Sequence, residues 1–236
     1  GGLAHLIHGL AYAFDFAEAN DYSLIIDTTT NSFGVDFFEF FEIKNSNILV
    51  LNNYNNLSQK LKLPNYKNLS VRNIKNSPVK YIMSNTYHIN NVDISKKLDS
   101  SQEMLVYCGN GLYKKNSNKL FYKLFLKKNI MYKINKKINI NCKYLSVHFR
   151  NTDIKNDKYI FLSKIKKLIT SKKIEVCYIS SDDCNFLKFI KNNLSYCKIF
   201  YSHEIPNFNG KNIHYNSKNK YNQILNCLTD MYYILK

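Results

Sequence analysis

The segment "YLSVHFRNTDIKND", residues 144–157, carries the strongest fold signal in the chain. Its apolar first part is typical of a buried strand, and its second part brings His148, Arg150 and Asp153 close together. In open α/β sheets, ligands gather at the carboxyl ends of the strands. The segment therefore predicts a strand that delivers charged side chains to a binding site.

The sequence around this segment alternates between strand and helix patterns. We predict strands in "KYLSVHF" (143–149), "IEVCYISS" (174–181) and "CKIFY" (197–201). Helices are predicted in "FLSKIKKLIT" (161–170), "DCNFLKFIKNNL" (183–194) and "YNQILNCLTDMYYILK" (221–236). Near-continuously apolar strands joined by helices indicate a parallel sheet that is covered on both faces. The residues expected on the inner faces of the first and last of these helices are Phe161, Ile165, Leu168 and Ile169, and Ile224, Leu225, Leu228, Met231, Tyr232 and Leu235.

The amino-terminal part predicts a second α/β region. A Gly-Gly turn leads into an amphipathic helix over residues 3–20, with Asp15 and Glu18 off its apolar stripe, and "YSLIID" (22–27) is a strand. "FGVDFFEFFEI" (33–43) is a strand or a short helix. Between residues 44 and 140 we expect short strands, long loops and a helical segment, "KLFYKLFLKKNIMYKINKK".

Composition limits the classes of function. The 236 residues carry a formal charge of +17, which favours an anionic partner such as nucleic acid, an acidic membrane or a phosphorylated small molecule. Lys, Asn, Ile and Tyr are abundant throughout, so the charge reflects a bias of the whole chain rather than one patch. No run approaches the roughly 20 apolar residues of a membrane helix, and no signal peptide opens the chain.

The cysteines and the chain ends add two expectations. Six cysteines without a C-x-x-C pair indicate neither a zinc site nor a disulfide framework, and Cys177 and Cys197 are expected to pack as small hydrophobes. The chain starts at "GGLAH" without a methionine, so we expect it to be a fragment that lacks both ends. A targeting segment upstream is compatible with this, and the compartment, cytoplasmic or secretory, stays open.

The polar residues at the strand ends predict a nucleotide site. The planar guanidinium of Arg150 matches phosphate oxygens. Asp182 and Asp183 follow the next strand, at the same sheet edge, where a carboxylate suits the hydroxyls of a ribose or the ring of a base. Together these residues indicate a nucleoside diphosphate bound without a glycine-rich phosphate loop.

Structural alternatives exist for each of these residues. Arg150 and Asp153 could form a surface ion pair worth less than about 1 kcal/mol. Asp182 or Asp183 could cap the following helix. His148, taken alone, is more typical of a core histidine satisfied by the backbone.

Three motifs carry a family resemblance: "VHFRNTD", "CYISSDD" and "NQILNCLTDMYYI". In this order and spacing they resemble the nucleotide-binding half of the fucosyltransferase superfamily, which includes the α1,6-, α1,2-, Nod-factor and protein O-fucosyltransferases. The opening "GGLAHLIHGLAYAFDFAEANDYSLIID" is similar to the first motif of that superfamily. The resemblance covers roughly half of the chain.

The resemblance implies a fold, a reaction and residue roles. The fold would be GT-B-like, with two Rossmann-type α/β/α domains and parallel sheets, 1–140 on the acceptor side and 141–236 on the GDP-sugar side. The reaction would be inverting transfer of fucose from GDP-fucose to a glycan or protein hydroxyl, without metal or cofactor. Arg150 would hold the β-phosphate. Further substrate contacts implied by position are Gly1, Gly2, His5, His148, Asp153, Asp182, Asp183 and Asp230.

The sequence also departs from the α1,6 pattern. Asn151 stands where those enzymes carry a second arginine, and Lys158 stands where they carry the glutamate taken as general base. Asp157 is adjacent and is our candidate base, because a single displacement needs an acid near the acceptor hydroxyl. A solvated loop acid is the alternative for Asp157.

Two rival functions remain. One is a basic protein that binds nucleic acid through its charge and its 14% aromatic residues, although no known nucleic-acid-binding motif is present and no specific nucleic-acid partner is expected. The other is a degenerate transferase that binds GDP and has lost catalysis.

Overall fold

The structure, a computed structural model, describes residues 3–19, 23–26, 28, 34–52, 81–82, 106–107, 119–151, 156–204 and 219–236. Contacts divide the chain into two compact units, Gly1–Lys127 and Lys128–Lys236. The domain limits that we predicted from the sequence, 1–140 and 141–236, stay a prediction. None of the described helices has the length and apolar content that a membrane crossing requires.

The first unit begins with the predicted helix and strand. Helix α1 spans Leu3–Ala19 and strand β1 spans Leu24–Ile26. Ala11 and Phe14 of α1 are fully buried and pack against Leu120. The remaining described elements of this unit are a 3-10 helix (Phe37–Glu39), β2 (Phe41–Ile43), β3 (Val50–Asn52), β4 (Tyr81–Ile82), β5 (Val106–Tyr107), α2 (Lys119–Lys123) and β6 (Leu124–Leu126).

Strand pairing in the first unit is mixed. Strands β1 and β3 are parallel, as are β4 and β5, whereas β2 and β6 are antiparallel. The helix predicted over residues 119–137 is wrong in its middle, because Leu124–Leu126 forms β6 and pairs with Phe41–Ile43. Pairing with a distant segment thus overrides a local helical pattern.

The second unit alternates strands and helices, as predicted. Strands β7 (Leu145–Phe149), β8 (Val176–Ser181) and β9 (Lys198–Phe200) form one parallel sheet in the order β7-β8-β9. Every residue of the central strand β8 is buried. The helices are α3 (Lys128–Lys137), α4 (Lys158–Lys172), α5 (Cys184–Asn193) and α6 (Lys220–Leu235).

The two faces of this sheet have different partners, following the two-residue period of a strand. On one face, Val147, Phe149 and Ile179 pack in one core cluster with buried residues of α4 and α5. Phe149 stacks on Phe186 of α5 at 3.7 Å between ring centroids. On the other face, Tyr178 stacks on Tyr233 of α6 at 5.0 Å. The expected parallel sheet with helices on both faces is therefore present in this unit.

The predicted inner faces of two helices need correction. In α4, Leu162 is buried with Ile165 and Ile169, whereas Leu168 is 43% exposed. In α6, Tyr233 is buried in place of Tyr232, and Met231 and Leu235 are exposed. Ile224, Leu225 and Leu228 are buried as predicted, and the rest of the buried stripe of α6 is Thr229 and Tyr233, four and eight residues after Leu225.

Cysteines behave as small hydrophobes where the sequence predicted it. Cys177 and Cys197 are buried, and their sulfur atoms lie 3.2 Å apart as free thiols.

Candidate functional site

The ends of β7 and β8 bring four of the predicted site residues close together: His148, Arg150, Asp182 and Asp183. His148 pairs with Ser180 and Phe149 with Ser181 in the parallel register, so Arg150 and Asp182 both follow at the same edge of the sheet. This is the edge at which parallel sheets build their sites.

Asn151 connects the two strand ends. Its backbone amide donates to Asp182 Oδ1 at 2.7 Å, and its side-chain amide donates to Asp183 Oδ2 at 2.8 Å. Both aspartates therefore hold the residue that directly follows Arg150. Sequence reasoning treated Asn151 only as a missing arginine, and this positioning role was not predicted.

Asn156 makes two hydrogen bonds to Arg150 and Asn151. The side-chain amide of Asn156 donates to the backbone oxygen of Arg150, and the backbone amide of Asn156 donates to Asn151 Oδ1 at 3.3 Å. The Arg150 side chain is exposed. Because the backbone at Arg150 is already held, binding of an anionic ligand there would have to order the side chain but not the main chain. Asp153 lies outside the described residues, and so does the ion pair considered for it.

Asp183 is the N-cap of helix α5, which is the structural role considered for it in the sequence analysis. Its Oδ1 accepts from the backbone amides of Asn185 and Phe186 at 2.8 and 3.3 Å. The backbone amide of Asp183 donates to Ser181 Oγ at 3.0 Å. The same carboxylate thus satisfies a helix end and, through its other oxygen, holds Asn151.

Asp157 has the same kind of role at helix α4. Its Oδ1 accepts from the backbone amides of Tyr159 and Ile160 at 2.7 and 3.2 Å. The structure thus makes Asp157 an N-cap rather than a simple loop acid. Its assignment as general base stays a prediction.

The surroundings of His148 differ from those expected of a core histidine. Its side chain is exposed, and its Nδ1 lies 3.2 Å from Ser180 Oγ. The expectation of a core histidine satisfied by the backbone is therefore wrong. The reason is the strand period, which turns Val147 and Phe149 into the core and His148 to the opposite face.

Asp230, predicted to contact the substrate, accepts hydrogen bonds from three hydroxyl groups, those of Tyr178, Ser180 and Ser202, which we call the hydroxyl cluster. Tyr178 donates to its Oδ1 at 2.6 Å, Ser180 donates to its Oδ2 at 3.0 Å, and Ser202 also donates to Oδ1. Burial, together with the nearby negative charge of Asp230, raises the pKa of Tyr178, so its hydroxyl stays protonated as a donor.

A narrow gap in the packing lies beside this cluster, between Ser180, Ser202, His203 and Asp230 on the polar side and Leu187 and Tyr201. Burial lowers the pKa of His203, and Asp230 partly opposes that shift. His203 Nδ1 lies 2.6 Å from Ser202 Oγ. Sequence reasoning missed Ser180, Ser202 and His203; the only signal was that each stands at or just after a strand end.

Gly1 and Gly2 lie outside the described residues, and His5 is described only as part of the backbone of α1. Among the residues that the structure describes, no group of three His, Cys, Asp or Glu side chains is placed to hold a metal ion.

Comparison with known proteins links the chain to a fold. No family model and no curated protein sequence matches it. Among solved structures, it is similar to NodZ α1,6-fucosyltransferase soaked with GDP-fucose, with a TM-score of 0.57 and 16% identity over 98% of this chain and 81% of that one. It is also similar to fucosyltransferase NodZ from Bradyrhizobium, with a TM-score of 0.56 and 16% identity over 95% and 79% of the two chains. At this identity the likeness shows the fold, which is the one seen in these fucosyltransferase structures.

Proposed function

We propose that this chain is a glycosyltransferase, specifically an inverting, metal-independent fucosyltransferase that moves fucose from GDP-fucose to a hydroxyl of a glycan or protein. The observation that carries the proposal is the exposed Arg150 at the end of β7, on a backbone held through Asn151 by Asp182 and Asp183. The fold supports it, since a structure with the same fold was soaked with GDP-fucose. A GT-B-like architecture with two Rossmann-type domains is part of the same proposal.

The proposed chemistry follows from charge. As the bond to GDP breaks, negative charge grows on the β-phosphate and positive charge grows on the sugar ring. A guanidinium fixed at Arg150 binds the developing phosphate charge more strongly than the ground state, and this difference lowers the barrier. A charge-assisted contact of this kind is worth about 1.5–3 kcal/mol, which corresponds to about a tenfold to hundredfold change in rate.

The other residues would bind the donor and activate the acceptor. Asp182 uses one carboxylate oxygen for Asn151, and a carboxylate has about four acceptor positions, so a bond to guanosine is compatible with that role. His148 and Asp153 would lie beside the nucleotide, and the Gly1, Gly2 and His5 loop would face the sugar. Asp157 would take the acceptor proton.

Release of GDP from GDP-fucose tests the proposal without knowledge of the acceptor. We expect slow hydrolysis by the wild type and a tenfold to hundredfold loss in Arg150→Ala, with the fold intact. Arg150→Lys should recover only part of the rate, because an ammonium lacks the planar fork. Lys166→Ala is the matched control, since it removes an exposed positive charge from α4. Full activity of Arg150→Ala would refute the assignment.

The rival functions predict different results when GDP release is measured together with GDP binding and oligonucleotide binding. A degenerate transferase would bind GDP without releasing it from GDP-fucose. A protein that binds nucleic acid through its +17 charge would not bind GDP specifically, and its affinity for an oligonucleotide would fall steeply as the salt concentration is raised.

A further inference from the structure

The hydroxyl cluster at Asp230 has a defined direction of hydrogen bonding. An ionised carboxylate only accepts hydrogen bonds, so Tyr178, Ser180 and Ser202 must each donate their hydroxyl hydrogen to it. A serine hydroxyl has a single hydrogen. Ser180, having given its hydrogen to Asp230, can only accept from its second partner.

That second partner is His148. Its Nδ1 lies 3.2 Å from Ser180 Oγ, and since Ser180 accepts there, Nδ1 must carry a proton. A neutral imidazole has one N–H and one lone pair, so a proton on Nδ1 leaves Nε2 as an acceptor. Within the described part of the chain, Nε2 has no protein partner. The exposed edge of this ring therefore presents a lone pair.

We propose that Asp230 is a positioning residue that acts through Ser180 to hold His148 in the Nδ1–H tautomer, so that Nε2 accepts a hydrogen bond from the bound nucleotide. This inference rests on the proposed function. A phosphate oxygen offers no hydrogen to a lone pair, whereas a nucleoside offers hydroxyl and ring N–H donors. His148 thus selects a donor group of the nucleoside, and the phosphates are left to Arg150, two residues along.

The isosteric variant Asp230→Asn tests this chain of bonds because its effect has a predictable direction. In the wild type, Asp230 Oδ1 accepts hydrogen bonds from two hydroxyl groups and Oδ2 accepts one. An asparagine fits best with its carbonyl oxygen at the Oδ1 position and its amide at the Oδ2 position. The amide then donates to Ser180, the Ser180 hydrogen turns to His148 Nδ1, and the ring changes to the Nε2–H tautomer.

Nuclear magnetic resonance of the side-chain nitrogens in the full chain, at a pH where histidines are ordinarily neutral, measures the tautomer directly. We expect Nδ1–H for His148 in the wild type and Nε2–H in Asp230→Asn. His203 is an internal control: its Nδ1 faces Ser202, which stays on the unchanged carbonyl oxygen, so its tautomer should not move. Nε2–H for His148 in the wild type, or no change in the variant, would overturn the inference.

Ser180→Ala provides a second test that leaves Asp230 in place. It removes the acceptor of the His148 Nδ1 proton, so the Nδ1–H preference should be lost even though the carboxylate remains. A His148 that keeps a pure Nδ1–H tautomer in Ser180→Ala would contradict the relay. This variant decides the question if Asp230→Asn does not fold.

Titration with GDP separates this inference from the proposed function. We expect both variants to bind GDP about tenfold more weakly than the wild type. In Asp230→Asn the Nε2–H of His148 would face a hydrogen-bond donor of the ligand. In Ser180→Ala the imidazole would no longer be held in the tautomer that accepts from the ligand. If the tautomer switches and GDP affinity stays within about twofold, the ligand part of the inference is wrong. If the wild type binds no GDP while the tautomer still switches, the proposed function fails and the positioning of His148 by Asp230 stands.

Discussion

Replacing Asp183 tests how the site is built, because its two oxygens have separable roles. One oxygen caps α5 and the other holds the Asn151 side chain at 2.8 Å. Loss of an N-cap costs about 1 kcal/mol, and loss of a hydrogen bond to a charged group costs about 1.5 kcal/mol. Asp183→Ala should therefore lose about 2.5 kcal/mol, or about 5–10 °C in melting temperature for a chain of this length.

Asp183→Ser separates the two roles. Serine is a good N-cap but is too short to reach Asn151, so this variant should lose only about 1.5 kcal/mol, or about 3–6 °C. The assay is urea unfolding of the wild type, both variants, Asn151→Ala and the double variant Asp183→Ser with Asn151→Ala. Because the serine variant has already lost the bond, adding Asn151→Ala to it should cost less than Asn151→Ala alone.

Two outcomes would refute this reasoning. Equal stability of the alanine and serine variants would mean that the side chain of Asp183 does not cap α5. If the losses in unfolding free energy from Asp183→Ser and Asn151→Ala added strictly in the double variant, the bond between the Asp183 and Asn151 side chains would not stabilise the fold.

Two further predictions concern carboxylates at other places. Asp157→Asn keeps a good N-cap for α4, so it should unfold like the wild type while losing acceptor-dependent transfer; wild-type transfer rates would remove Asp157 as the base. In the first unit, hydrogen bonding from Lys123 holds the pKa of Glu18 below its usual 4.5, with burial opposing and Lys119 assisting. The unfolded chain then binds protons first on acidification, so the stabilisation by Glu18 is complete above about pH 4.5 and is lost as pH falls below it. Glu18→Gln should cost about 1 kcal/mol at neutral pH and progressively less in acid, and a difference that does not change with pH would contradict the assignment.

The second unit was the more predictable part from sequence. Its strands are mostly apolar, and α4 and α5 start at aspartates, so local patterns and the fold largely agree there. Leu124–Leu126 was mispredicted because its strand partner, Phe41–Ile43, is remote in the chain. Local periodicity carries no information about such a partner.

The sequence predicted that the candidate site residues would meet at one sheet edge, but it did not predict most of their hydrogen bonds. Parallel strands bring Arg150 and Asp182 to one edge whatever the loops do, and the strand-end argument depends only on that. The bonds from Asn151 to the aspartates and from Ser180 to Asp230 depend on register and helix placement. Serine and asparagine are common at strand ends and in loops, so their presence there did not distinguish these roles.

Thermal stabilisation by GDP, measured for the wild type and Arg150→Ala, tests the central claim most directly. A ligand at about a hundred times its dissociation constant adds about 2.7 kcal/mol, a shift of several degrees for a chain of this length. We predict that GDP and GDP-fucose stabilise the wild type, that Arg150→Ala loses most of this effect, and that Lys166→Ala keeps it. Stabilisation by an oligonucleotide and by neither guanine nucleotide would contradict the account.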